Sequence, residues 1–246
     1  MRRSSGSVRL PVMMLLWGIA ALFLRKTLYA TAVDIKGLLL RNQPLELALT
    51  ILTIGALVRI VLAVRKQKGS CDYEDYSAAG IPGAIGNLAA GAGILITMLN
   101  ATPGLENYLE YAWKILGYAA PVCLFLAGIS RIQGKKPFFL LHVVVCLFFV
   151  LHIVTRYQTW SGHPQTQDYI FSLLGAMALL FYAFYTAALE AGCGNYRMMR
   201  GMGLAAIYLC MAELARSSCP WLYLGGALWT LTDLCSMHID AQKSLE

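Results

Sequence analysis

The sequence predicts an all-α fold: a polytopic transmembrane helix bundle of about eight spans, arranged as two parallel four-helix repeats. Three observations predict it. Of the 246 residues 13% are charged and 58% hydrophobic, and the mean hydropathy is +0.60; soluble domains carry about 25% charged and 45–50% apolar residues. The apolar residues form continuous runs of about 20, the length a helix needs to cross a bilayer core of about 30 Å. Their continuity sets aside the alternating pattern of a closed β-barrel, the other spanning solution. The basic residues are also unevenly placed. With the N-terminus inside, thirteen of the twenty Lys and Arg residues fall on the cytoplasmic side and seven outside, the bias that orients helical membrane proteins. Both termini are therefore expected in the cytoplasm. The net charge of +7 is mostly this topology signal. The charges form no basic block with interleaved aromatics, so nucleic acid is not an expected partner.

The runs cover about residues 10–31, 44–64, 79–99, 110–130, 138–157, 168–189, 200–217 and 220–237. The first holds fifteen apolar residues before Arg25 and Lys26 interrupt it, so seven spans are an alternative count. Its basic start and Ala30-Thr31-Ala32 imitate a secretory signal, but Arg25 and Lys26 stand before that site and disfavour cleavage. An uncleaved first helix is expected. The second run opens at Pro44, and Arg59 near its inner end can snorkel to the cytoplasm. The third is rich in Gly and Ala, with Gly86 and Ala90, and Ala89 and Gly93, at the four-residue spacing that lets helices approach closely. It also carries Asn87, an amide that needs a partner on another helix. The fourth is ordinary. The fifth carries His142 and His152, about 80° and 15 Å apart on an ideal helix; one metal cannot bind both, and no metal or cofactor is expected. The sixth ends before Gly192-Cys193-Gly194, a helix stop. The seventh begins with the small residues Gly201 and Gly203 and carries Glu213 and Arg216, whose spacing predicts an ion pair on one helix face. The eighth carries Asp233, with no cation near it in sequence; Arg59 or Arg131 on other helices are candidate partners, and proton uptake is the alternative. The seven cysteines contain no CxxC and read as small packing residues.

The chain also matches itself. Thr27-Leu-Tyr29-Ala-Thr31 aligns with Thr155-Arg-Tyr157-Gln-Thr159 at an offset of 128, and Gln43-Pro44 with His163-Pro164 at 120. Cys71-Asp-Tyr73 resembles Cys193-Gly-Asn-Tyr196, and Gly80 and Gly203 follow those tyrosines by seven residues. These offsets lie near half the length, so a duplicated four-helix unit is expected, with halves at 1–123 and 124–246 related by an axis along the membrane normal. The two outward turns that correspond, around TLYATAVDIKGLLLRNQPLE and TRYQTWSGHPQTQDY, carry the same kinds of groups. Arg25, Tyr29, Asp34, Arg156, Tyr157, Trp160 and Asp168 are the candidate ligand-binding residues, lining one outward vestibule suited to a small anionic or amphipathic solute. The competing reading is an interfacial aromatic belt with separately snorkelling arginines. Glu213, Arg216, Asp233 and Asn87 are the candidate intramembrane polar residues, which are costly in lipid and mark functional sites by default.

Signatures of membrane enzymes are missing: there is no HExxH, no rhomboid-type GxSG, no paired-Glu protease motif and no Walker A loop. The stretches TAVDIKGLLLRNQPLE, CDYEDYSAAG and RYQTWSGHPQTQDYIFSLL resemble a group of multi-pass membrane proteins of anaerobic Gram-positive bacteria. The resemblance covers about half the chain. It implies a bacterial plasma membrane and carries over no catalytic or ligand residue. Relatives in that group carry Gly-His-Pro where this chain has Asn42-Gln43-Pro44, which argues against a catalytic role for the equivalent His163. Two functional readings follow. One is a small-solute transporter, or the membrane-embedded solute-binding subunit of one. The other is a non-transporting sensor, assembly factor or accessory subunit of a cell-envelope complex. Expected partners are the lipid bilayer, a small solute, and a second membrane protein or another copy of the chain.

Overall fold

The structure is a computed structural model, and it describes residues 6–31, 43–65, 81–101, 108–160 and 169–236. The described residues form eight helices: α1 (Gly6–Thr31), α2 (Pro44–Arg65), α3 (Ile81–Asn100), α4 (Tyr108–Ile132), α5 (Phe139–Trp160), α6 (Ile170–Glu190), α7 (Tyr196–Glu213) and α8 (Pro220–Ser236). Six of them, α1 to α6, are long and apolar enough to cross a membrane, and the chain is an integral membrane protein. α7 and α8 are shorter, at 18 and 17 residues. α7 is also the more polar of the two, with Arg197 and Arg200 in its first turns, and most of it is buried against other helices. Among the resembling stretches, the parts at 32–42, 71–80 and 161–168 lie outside the described residues.

Successive helices run in opposite directions. Residues near the ends of α1 and α7 meet each other, as do residues near the ends of α4 and α8. The start of α5 meets the end of α6. Helices α3 to α8 form a ring: each packs on the next, and α8 closes it by packing along α3. α1 lies outside the ring against α7, and α2 packs on α1 and α7. The outer face of α2 is a lipid surface, with Leu47, Ile51 and Ile54 all more than half exposed.

The halves run in the parallel sense that a duplication requires, but they pack differently. α6 lies along α7, whereas its positional counterpart α2 packs on α1 and α7, not along α3. Tyr29 is half-buried while Tyr157 is 61% exposed. Pro164 lies outside the described residues.

The α3–α8 contact uses the small residues seen in the sequence. A Cβ at Gly93 would strike the Trp221 carbonyl oxygen, one at Gly225 would lie 2.7 Å from the Ala89 carbonyl oxygen, and one at Gly86 would meet Trp229 Cα at 3.1 Å. Close backbone approach is what holds helices together where lipid removes the hydrophobic driving force. Hydroxyls in the helices are satisfied locally: Thr53, Thr97, Thr186 and Thr230 each donate to the carbonyl four residues earlier.

Helix ends place the charged residues. α4 stops at Gly134 (φ +68°) and α6 at Gly192 (φ +80°), left-handed positions that favour glycine. In both, the next two amides fold back onto the last turn: Gly134 and Lys135 donate to Arg131 and Ser130, Gly192 and Cys193 to Leu189 and Ala188. This paired closure is a Schellman motif. It ends the helix abruptly and leaves Arg131 and Glu190 buried in a final turn. α7 starts four residues earlier than the sequence run, because the Asn195 side chain accepts the Arg197 amide and caps it.

Candidate functional site

The bundle has a polar layer at each end. At the end where α7 finishes, Arg25 is only 1% exposed. One guanidinium nitrogen donates to Glu213 Oε2 at 2.8 Å and to the Ala212 carbonyl at 2.8 Å, and the other reaches the Tyr29 hydroxyl at 3.4 Å. The guanidinium also lies 4.6 Å from the Phe171 ring centroid on α6. Arg216 sits 4.7 Å and Arg25 5.6 Å from the Tyr29 ring centroid, so Tyr29 meets two cations. α7 ends at Glu213, and Arg216 lies in the turn that follows it. Glu213 pairs with Arg25, 188 residues away, a partner on another helix that the sequence did not indicate.

Across the same end, half-buried Arg156 on α5 donates to Cys219 Sγ at 2.7 Å and lies 6.0 Å from the Trp113 ring on α4. The two arginine groups are joined through the interior. Ser172, which follows Phe171, meets the Tyr223 hydroxyl at 2.6 Å, and Tyr223 begins the turn of α8 that follows Cys219. Of the seven candidate ligand-binding residues, Arg25 and Tyr29 come together, and Arg156 belongs to the adjoining group. Tyr157 points away, at 61% exposure. Trp160 closes α5, and Asp34 and Asp168 lie outside the described residues.

The layer at the other end is drier. Arg131 on α4 pairs with Asp233 on α8 at 2.6 Å, with side chains 2% and 0% exposed, and Tyr182 on α6 donates to the second carboxylate oxygen at 2.9 Å. Of the two cations considered for Asp233, Arg131 is the partner; Arg59 is exposed, on Met13. Beside this triad, His142 Nδ1 lies 2.8 Å from Glu190 Oε2, both side chains 0% exposed. The Trp229 indole links the two groups, stacked on the His142 ring at 5.9 Å and edge-on to Tyr182 at 5.0 Å. His152 is separate, packed on Trp113 and Phe148.

Asn87 is fully buried, with its Cβ near Gly128 of α4. The sequence called for an interhelical partner, yet neither amide atom has one among the described residues, and the same holds for His142 Nε2, Glu190 Oε1 and Trp229 Nε1. Each such atom costs about 1–3 kcal/mol unless something binds it. Between the two layers the ring is filled by apolar side chains: Ile94, Phe148, Leu179, Leu204 and Ala227 are all at most 2% exposed.

Sequence reasoning missed Phe171, Ser172, Tyr223 and Cys219 at one end and Tyr182, Glu190 and Trp229 at the other. Glu190 had a readable signal, as the one carboxylate in IFSLLGAMALLFYAFYTAALE. The others are aromatic or small residues that look like packing until their neighbours are known. Comparison of the chain with protein-family models, with curated proteins and with solved structures returned no match.

Proposed function

We propose that this chain is a carrier, or the membrane-embedded solute-binding subunit of one, for a small anionic or amphipathic solute. On this reading it lies in a bacterial plasma membrane with eight spans and both termini cytoplasmic, so the Glu213 end faces outward. The duplicated four-helix unit belongs to the same reading, supported by the parallel sense of the halves. The observation that carries it is Arg156: a half-buried cation facing an aromatic ring and a thiol, with no carboxylate within 4 Å among the described residues. A carboxylate or phosphate group is the natural complement of such a guanidinium, and the ring would cover an apolar tail.

The non-transporting reading has its own support, in the apolar layer packed between the two polar ends. A carrier must open that layer, whereas an accessory subunit need not. A test is thermal unfolding of the protein in lipid nanodiscs with phosphate, sulfate, acetate and octanoate. A ligand at about a hundred times its Kd stabilises by about 2.7 kcal/mol. Stabilisation by at least one of these anions is expected, and its loss in Arg156→Gln. If no anion stabilises the wild type, or Arg156→Gln responds equally, the carrier reading fails and the accessory reading stands.

A further inference from the structure

We propose that His142 and Glu190 form a proton-binding site that exchanges with the side of the membrane at the Asp233 end, and that loss of its proton releases the end of α6 from α5. The inference does not depend on which solute, if any, the protein handles.

The charge count is the first argument. Arg131 and Asp233 cancel each other in a direct pair. Against the site lie Tyr182, neutral and donating to Asp233, and Trp229, stacked on His142; Lys136 precedes α5 and Arg197 lies in the first turn of α7, at the same end of the bundle. On α5 itself, one turn beyond His142, the Cys146 thiol donates to the Leu180 carbonyl. Taken together, Arg131, Asp233, His142 and Glu190 are neutral only when the His142–Glu190 pair holds one proton. Without it, neutral imidazole and carboxylate leave one net negative charge on side chains that are 0% exposed, a state that low dielectric strongly disfavours.

The ring stacking is the second argument. His142 and Trp229 are 11° from parallel with centroids 5.9 Å apart. That arrangement offers the indole face to an imidazolium and gives the protonated ring a cation–π partner. The two unpartnered atoms, His142 Nε2 and Glu190 Oε1, leave one donor or acceptor position on each member free for a proton to arrive or leave.

The path is the third argument. Glu190 is the last residue of α6 and is buried, while Ala191, Gly192 and Cys193, which follow it, are exposed. Water begins one residue from the carboxylate on that side. On the other side lies the apolar layer of Phe148 and Leu179. The proton leaves the imidazolium for water at the Asp233 end, and the uncompensated carboxylate follows it out by unwinding the closing turn at Gly192.

The test is hydrogen–deuterium exchange of residues 186–190 in nanodiscs at a series of pH values, corrected for intrinsic exchange. Opening linked to one proton changes protection by about tenfold per pH unit, falling as pH rises through the transition. The double variant His142→Gln with Glu190→Gln keeps a hydrogen-bonding pair with no titratable atom, and its protection should not vary with pH. A wild type without this slope, or a double variant that retains it, overturns the proposal. Should the double variant not fold, the difference in tryptophan fluorescence between the wild type and Trp229→Phe reads the same event. Trp229 emission should be quenched at low pH by the stacked imidazolium and recover as the proton leaves; a Trp229 contribution independent of pH overturns the proposal equally.

Discussion

Replacing Asp233 with Asn tests whether the Arg131–Asp233–Tyr182 group lies in a dry interior. The substitution preserves shape and removes one charge. Arg131 would then keep its guanidinium at 2% exposure against a neutral amide. Leaving a buried charge without its partner costs about 3–5 kcal/mol. The Tyr182 hydrogen bond falls from the charge-assisted range of about 1.5–3 kcal/mol to the neutral range of about 0.5–1.5. The two losses overlap, and about 4 kcal/mol in total is expected. Removing the whole group should cost far less. Arg131→Met, Tyr182→Phe and Asp233→Leu together leave neither a charge nor an orphaned hydroxyl, and buried ionic groups replaced by apolar residues of similar volume are often neutral or stabilising. Reversible unfolding in mixed micelles, titrated with SDS and followed by circular dichroism, gives both free energies. A loss below about 1 kcal/mol for Asp233→Asn, the level of an exposed surface pair, would refute the reasoning. So would a triple variant less stable than the single one.

Two further outcomes are expected. Gly93→Ala and Gly225→Ala should each destabilise by about 1–3 kcal/mol, because a Cβ at either runs into backbone across the α3–α8 contact; Gly55→Ala, whose Cβ meets only the Trp17 ring at 3.4 Å, should be neutral or gain up to about 1 kcal/mol of helix propensity. Equal effects at all three positions in the same unfolding assay would contradict the packing. For topology, a reporter active only outside the cytoplasm should be silent when fused at Gln67 and Lys135 and active at Glu106 and Gly162, and the opposite pattern would reverse the orientation derived from the basic residues.

The sequence by itself determined the class of protein and the positions of its helices to within a few residues. Length and apolarity of a run are local properties, and the bilayer sets both. It also showed the small residues of α3 and named two arginines, beside proton uptake, as candidates to satisfy Asp233. The ring closure of α8 onto α3, the Arg25–Glu213 pair and the His142–Glu190 pair were decided only by tertiary structure. These contacts join residues 48 to 188 positions apart. Whether two such residues meet depends on which faces of two helices turn toward each other. A run that is apolar all round carries little periodic signal of its facing. Helix ends then decide the register. The Asn195 cap starts α7 at Tyr196, α7 ends at Glu213 beside Arg25, and the glycine stops at Gly134 and Gly192 leave Arg131 and Glu190 in buried final turns. In a chain this apolar, a charged side chain settles where another helix can neutralise it, and that place exists only once the helices have packed.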